Sequence, residues 1–417
     1  MFPKSHLARN FSRFALILRA RAPAVPVIDM PFRGRKLTAT LSNKAQTISI
    51  KSIALHHVRV PLVEPFRISN GVISEKDAIL IEVKTENDVV GWGEASPMSG
   101  GFYSANTPES AWSALSGTLI PSVLNAGEID VSRFYEQMRA HPGDAFAKAG
   151  IEGALWDAYA NILKVPFGEL LGARARPIPS GVAIGIYDHV ADLLERVARY
   201  SAQGYRRVKI KIQPGWDVEP VAAVRARFPE LPLMVDANAA YSLADAAVFR
   251  ELDGQGLMMI EQPLAREAHA EAGELQRQLR TPLCADESAE SIRALASLIE
   301  NDAARIINIK VQRVGGLSEA RLMLGVARAA GLECWVGTMP ELGVASAQGL
   351  HLAMLDGFTY PTDIEASTRW YVDDVIAPLI KIDARGYVRL PAGPGTGYNV
   401  VREKVERYSV DTATFAS

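Results

Sequence analysis

Cysteine is nearly missing from this 417-residue chain, which has only Cys284 and Cys334. Two thiols cannot supply a disulfide framework or a thiolate zinc site, so a reducing, cytoplasmic setting is expected. Histidine is scarce too, at seven residues, and no two of them form a metal-binding motif. His56 and His57 are adjacent on a predicted strand, point to opposite faces and are read as structural. The longest apolar run near the N-terminus, Phe14 to Leu18, falls far short of the roughly 18 residues that cross a bilayer; no membrane partner is expected. A formal charge of −2 offers no basic footprint for nucleic acid. Nor does a glycine-rich phosphate loop follow any strand: Gly315-Gly316 lacks its third glycine, and Ala392–Gly397 reads as a turn. What remains is ordinary globular composition, 48% hydrophobic and 22% charged.

Charge is unevenly spread. Residues 1–40 hold eight basic side chains against one acid, Asp29, a net +7 that leaves −9 for the remainder. With Pro23, Pro26 and Pro31, this stretch superficially resembles an organellar transit peptide. It has no apolar periodicity and reads better as a disordered basic tail, or as an over-extended start with Met30 as a later one. Residues 1–50 are therefore placed outside the fold.

From Ser52 onward the pattern is strand-like. Ile53–Pro61 alternates, and Ala78–Lys84 and Val89–Glu94 flank the turn residues Glu86-Asn87-Asp88. Pro108–Asn125 and Ala145–Leu163 read as helices, completing an α+β module. Beyond Gly172 short apolar strands alternate with amphipathic helices. The strand runs are Gly181–Tyr187, Arg207–Ile212, Leu231–Asp236, Leu257–Glu261, Pro282–Asp286, Ile306–Lys310, Glu333–Gly337 and Thr359–Asp363. Seven or eight such units predict an α/β fold built on a closed, TIM-like (β/α)7-8 barrel.

Five successive strands end in charge: Lys211, Asp236, Glu261, Asp286 and Lys310, spaced by 25, 25, 25 and 24 residues. In a βα repeat this puts all five at one height, at the C-terminal mouth where barrel active sites are built. One polar strand end is usually a loop contact or a helix cap; five in phase are hard to explain so. Three carboxylates brought together raise one another's pKa unless a cation lies between them. All-oxygen donors favour a hard ion, Mg²⁺ above all, with Mn²⁺ as a substitute. Lys209 and Lys211 share one face of the strand VKIKI. Two ammonium groups beside a divalent ion should push one lysine toward neutrality, where it serves as a general base. Lys310 would face the opposite side of the substrate. A metal ion with such a base suits removal of a proton α to a carboxylate, leading to either elimination or racemisation.

These motifs resemble the enolase superfamily, in its muconate-lactonising branch. The likeness is carried by GWGEASP (Gly91–Pro97), GALWDAYANIL (Gly153–Leu163), VKIKI, VDAN (Val235–Asn238), IEQP (Ile260–Pro263), ADES (Ala285–Ser288) and NIKVQRVGGL (Asn308–Leu317). Within the branch, the chain is similar to o-succinylbenzoate synthases and the related N-acylamino acid racemases. The resemblance implies Asp236, Glu261 and Asp286 as Mg²⁺ ligands and Lys211 as the proton-abstracting base. It implies Lys310 as the enolate-stabilising lysine or second base, with Lys209, Asn238, Glu287 and Glu341 in support. It further implies a capping domain over 51–178, a barrel over 179–370 and a segment 371–417 that packs back on the cap. The loops Phe66–Val72 and Pro97–Thr107 would shape the pocket. The implied activity is Mg²⁺-dependent dehydration of 2-succinyl-6-hydroxy-2,4-cyclohexadiene-1-carboxylate toward menaquinone. Racemisation of N-acylamino acids by the same residues is the alternative, and a muconate cycloisomerase or a non-catalytic barrel ranks lower. A small carboxylate substrate and a homo-oligomer are expected.

The chain departs from the pattern at GTMPELGVASAQ (Gly337–Gln348), at Val311-Gln312, and at Ala183, where relatives often carry serine. These changes are expected to alter the pocket wall rather than the proton-transfer machinery.

Overall fold

The computed structural model describes residues 47–416, apart from Asn70, residues 100–103 and Pro142. The basic segment 1–46 and parts of both expected pocket loops thus lie outside the described residues. The expected extension ran four residues too far, because Thr47–Ile50 already belong to the first strand.

That strand, β1 (Thr47–Ile68), pairs antiparallel with β2 (Gly71–Thr85), which pairs with β3 (Val90–Ala95). Its buried face switches parity twice, from Ile48 and Ile50 to Ile53 and Leu55, then to Val58 and Val60. The first switch falls at Ile50/Ser52, where Lys51 is an extra residue of β1 against β2; such a bulge flips which side chains face inward. At the second, β1 stays in register with β2, and the extra residue is Val410 of the strand Ser409–Ala416. Alternation was therefore legible over only part of a 22-residue strand. On its other edge β1 takes the C-terminal strand Ser409–Ala416.

The Ala145–Leu163 helix lies across this sheet. Asp144 caps it by accepting from the amides of Phe146 and Ala147. Its small residues let the backbone of β3 approach closely. A Cβ on Gly93 would lie 2.0 Å from the Gly150 carbonyl oxygen, and one on Gly91 would lie 2.3 Å from that of Ala154. The glycines of GWGE are thus required by contact with the helix.

Seven parallel strands follow in sequential order: Val182–Ile184, Val208–Lys211, Leu233–Asp236, Ile260–Glu261, Leu283–Ala285, Ile306–Ile309 and Glu333–Val336. The expected eighth strand, Thr359–Asp363, is not a regular one. Its backbone nonetheless closes the barrel: the Thr359 and Asp363 amides donate to Cys334 and Val336 at 3.0 and 3.3 Å, and Gly181 N–H donates to Thr362 at 2.8 Å.

The end of β3 is the seat of this sheet on the barrel. Glu94 accepts from the amides of Leu342 (2.7 Å) and Ala345 (2.9 Å), at the start of the Gly343–Ala353 helix. Gln312 donates to the Glu94 carbonyl (2.9 Å) and accepts from Ser96 N–H (3.0 Å). Leu342 and Gln312, expected to alter the pocket wall, therefore also make this joint.

Candidate active site

Register brings the strand-end charges together. Lys211 pairs with Asp236, and Asp236 with Glu261, as direct neighbours on adjacent strands. Asp286 follows the fifth strand by one residue and Lys310 follows the sixth by one. Each of the five is less than 10% exposed.

The Lys211 ammonium lies 2.6 Å from Asp236 Oδ2 and 2.8 Å from Asn238 Oδ1. One pleat deeper, Lys209 donates to Asp363 Oδ2 at 2.5 Å and Glu261 Oε2 at 3.1 Å, with Asp236 Oδ2 at 3.4 Å. Across the mouth, Lys310 donates to Asp286 Oδ2 at 3.0 Å, and Arg313 binds the other oxygen of the same carboxylate. Glu287 accepts from Asn238 Nδ2 at 3.0 Å. Glu341 stands apart from this group in the loop after the seventh strand, where its carboxylate accepts from the Met339 amide at 3.1 Å. Burial and the neighbouring Glu94 push its pKa up to about 8, with Lys76 and Lys310 working the other way.

Asp236, Glu261 and Asp286 stand on neighbouring strands. Among the described residues no three acidic, histidine or cysteine side chains are grouped to hold an ion. Each carboxylate is instead drawn onto a buried cation, because an unpaired charge at this depth is costly. Burial works against the charge on Lys209, but Asp363, Glu261 and Asp236 outweigh it and hold its pKa well above the ordinary value.

The carboxylates divide by their surroundings. Burial opposes ionisation of Asp286, yet Arg313 and Lys310 hold its pKa far below the usual range. Asp236 is lowered against its burial by Lys211 and Lys209. Glu261 is pushed up to about 8 by burial and by Asp236. Glu287 is raised to about 7 by burial and by Asp286.

The backbone at the mouth is strained. Asn238, Ala239 and Gln262 adopt φ of 43°, 60° and 38°, a region that costs non-glycine residues about 1 kcal/mol or more each. Hydrogen bonds hold them there. Asn238 N–H donates to Asp236 Oδ1 at 3.0 Å, and Gln262 Oε1 accepts from the Asp286 and Ser288 amides at 2.9 and 3.1 Å.

Sequence reasoning missed Asp363, Arg207, Asn308 and Arg313. Asp363 ends the eighth strand-like run, so the phase argument could have reached it. Arg207 shares the face of Lys209 and Lys211 by simple alternation and donates to Asp363 at 2.6 Å. Asn308, two residues before Lys310, donates to Glu261 Oε1 at 2.7 Å. Arg313 lies beyond the strand, and no strand periodicity points to it.

Residues 50–172 match the mandelate racemase/muconate lactonizing enzyme N-terminal domain, and residues 192–404 match the enolase C-terminal domain-like family. An o-succinylbenzoate synthase of Geobacillus stearothermophilus is 41% identical, over 87% of this chain and 96% of that protein. An N-succinylamino acid racemase of Amycolatopsis is 40% identical, over 86% and 97% respectively. Among solved structures, an enolase superfamily member from Listeria innocua superposes with a TM-score of 0.85 at 33% identity, covering 88% of this chain and 99% of that one. This chain belongs to the enolase superfamily, in its mandelate racemase/muconate lactonizing group.

Proposed function

We propose that the protein is an o-succinylbenzoate synthase, converting 2-succinyl-6-hydroxy-2,4-cyclohexadiene-1-carboxylate to o-succinylbenzoate and water. The observation that carries this reading is the order Lys211, Asp236, Glu261, Asp286, Lys310 across successive barrel strands, with the carboxylates between two lysines on opposite sides of the mouth. The relatives named o-succinylbenzoate synthase point to the same chemistry.

In this reading Lys211 removes the proton from the carbon α to the substrate carboxylate and returns it to the departing hydroxyl, so that no net proton is consumed. Asp236 and Asn238 fix the Lys211 ammonium from two sides. Lys310, on the other side, supplies positive charge to the carboxylate oxygens as the carbanion forms. Asp236, Glu261 and Asp286 offer three hard oxygen donors on consecutive strands, a set suited to Mg²⁺, with Mn²⁺ as a substitute. Bound there, the ion would neutralise charge developing on the substrate carboxylate. Lys209 and Asn308 hold Glu261, and Arg313 holds Asp286.

N-acylamino acid racemisation is the second reading, favoured by the opposed placement of the two lysines and by the Amycolatopsis relative. Lys211 would take the proton from one face and Lys310 would return one to the other. In both readings residues 47–178 act as the cap, 179–370 as the catalytic barrel and 371–417 as a segment completing the cap. The working enzyme is a cytoplasmic homo-oligomer acting on a small carboxylate. Two buried free thiols support that setting, and no helix among the described residues is long and apolar enough to cross a membrane.

The test is a paired assay with Mg²⁺ and then with EDTA. Dehydration is followed by ultraviolet absorbance and N-succinylamino acid racemisation by polarimetry. Dehydration abolished by EDTA, by Lys211→Ala and by Lys310→Ala supports the synthase. Racemisation alone moves the function to the second reading, and turnover of neither substrate refutes both.

A further inference from the structure

The barrel closes differently at its mouth than at its floor. Low in the seam between the first and eighth staves, backbone pairs with backbone: Gly181 N–H donates to Thr362 at 2.8 Å and Thr362 N–H to Pro179 at 3.0 Å. Two residues higher, side chains take over. Ala183 N–H donates to Glu365 Oε1 at 2.8 Å, and the Ala183 carbonyl accepts from Arg369 Nη2 at 3.0 Å. Arg369 Nε in turn lies 3.3 Å from Glu365 Oε2. Both peptide groups of Ala183 are thus held by one buried ion pair.

This ring abuts the candidate site. Ala183 is the register partner of Lys209, and Asp363, two residues before Glu365 and on the same face, binds Lys209. The cap sheet lands on the outer side of the ring. Glu64 of β1 stands 3.7 Å from Arg369, and the ring of Phe66 meets Trp370 edge-on at 4.8 Å. The Arg369 guanidinium lies over Trp370 at 4.5 Å. The Arg67 carbonyl accepts from Ile186 N–H at 2.9 Å, where a Cβ on Gly185 would come within 2.6 Å of it. Apolar side chains would close such a seam at least as stably as a buried pair of ionisable groups. Stability alone therefore does not account for Glu365 and Arg369 here.

We propose that Glu365 and Arg369 are positioning residues that set the pocket wall between the first and eighth staves and the seat of cap residues 64–67. They thereby govern how tightly the part of the substrate remote from the reacting carbon is held. The proposal rests on the enzymatic reading above. It assigns Glu365 no contact with the reacting atoms, so its loss should appear in KM and spare kcat.

The test compares Glu365→Ala with Glu365→Gln, which keeps an acceptor for Ala183 N–H. Each is assayed for kcat and KM on whichever substrate the wild type turns over, together with amide hydrogen exchange at Ala183 and residues 64–68. Glu365→Ala is expected to raise KM about tenfold with kcat within about threefold, and to speed exchange at Ala183, while Glu365→Gln recovers most of both. Unchanged KM and exchange in Glu365→Ala overturn the proposal, as does a fall in kcat at constant KM. If the wild type turns over neither substrate, the enzymatic reading fails by itself. Exchange then decides the clamp: faster exchange at Ala183 and 64–68 in Glu365→Ala upholds it, and unchanged exchange rejects it.

Discussion

Lys211 and Asp236 are register partners on adjacent barrel strands, and their side chains meet at 2.6 Å in the buried mouth. Neither charge would be tolerated at this depth without a partner. The same carboxylate is a proposed metal ligand, so the partner that holds the base also belongs to the ligand set.

Asp236→Asn should therefore affect both. Mg²⁺ affinity by isothermal titration is expected to fall at least about tenfold and turnover at least about a hundredfold, with the circular dichroism spectrum retained. EDTA on the wild type should abolish turnover, and added Mg²⁺ should restore it. Unchanged Mg²⁺ affinity in the variant would exclude Asp236 as a ligand.

Asp363 neutralises two buried cations at once, Arg207 at 2.6 Å and Lys209 at 2.5 Å. Asp363→Asn should cost on the order of 3 kcal/mol, because it leaves both short of a counter-charge. Urea denaturation should show a lower midpoint with an unchanged slope. A variant as stable as the wild type would mean that Glu261 and Asp236 suffice for Lys209.

His351 ties three segments together. Its Nδ1 accepts from Gly168 N–H at 3.1 Å, which leaves Nε2 to donate to the Thr396 carbonyl at 3.1 Å. Burial lowers its pKa to about 4. The unfolded chain takes up this proton below about 6.5, whereas the folded chain resists until about 4. Protonation therefore favours unfolding, and stability should fall as pH drops through that window, by on the order of 3 kcal/mol in full. His351→Gln should flatten the pH dependence of urea stability between those values. An equally steep dependence in the variant would assign the effect to other groups.

Gly93→Ala places a methyl group against the backbone of the Ala145–Leu163 helix, 2.0 Å from a carbonyl oxygen. Neither backbone has room to yield, so a loss of about 3 kcal/mol or failure to fold is expected. Gly117→Ala, where nothing lies within 4 Å, is the control and should leave the thermal midpoint unlowered. Equal midpoints for the two variants would show that β3 and the helix can move apart.

Much of this protein was legible from local pattern. The Ala145–Leu163 helix has the bounds its composition suggested. The barrel strands are shorter than their apolar runs, because only the central residues of each run pair in the sheet. The opening strand was harder to read, since its buried face changes parity twice, once at the Lys51 bulge, and recognition depends on unbroken alternation.

The five strand-end charges were determined by the sequence itself. A βα repeat of nearly constant length returns the chain to the same height at each turn, so spacing alone places Lys211, Asp236, Glu261, Asp286 and Lys310 in one tier. Only the tertiary structure decided which charge neutralises which. Lys209 finds Asp363 from 154 residues away, and Glu94 meets the amide of Ala345 across 251. Such partners are set by barrel closure and by the seating of one sheet on another. Coulomb energy depends on distance through space, and no pattern along the chain encodes that distance.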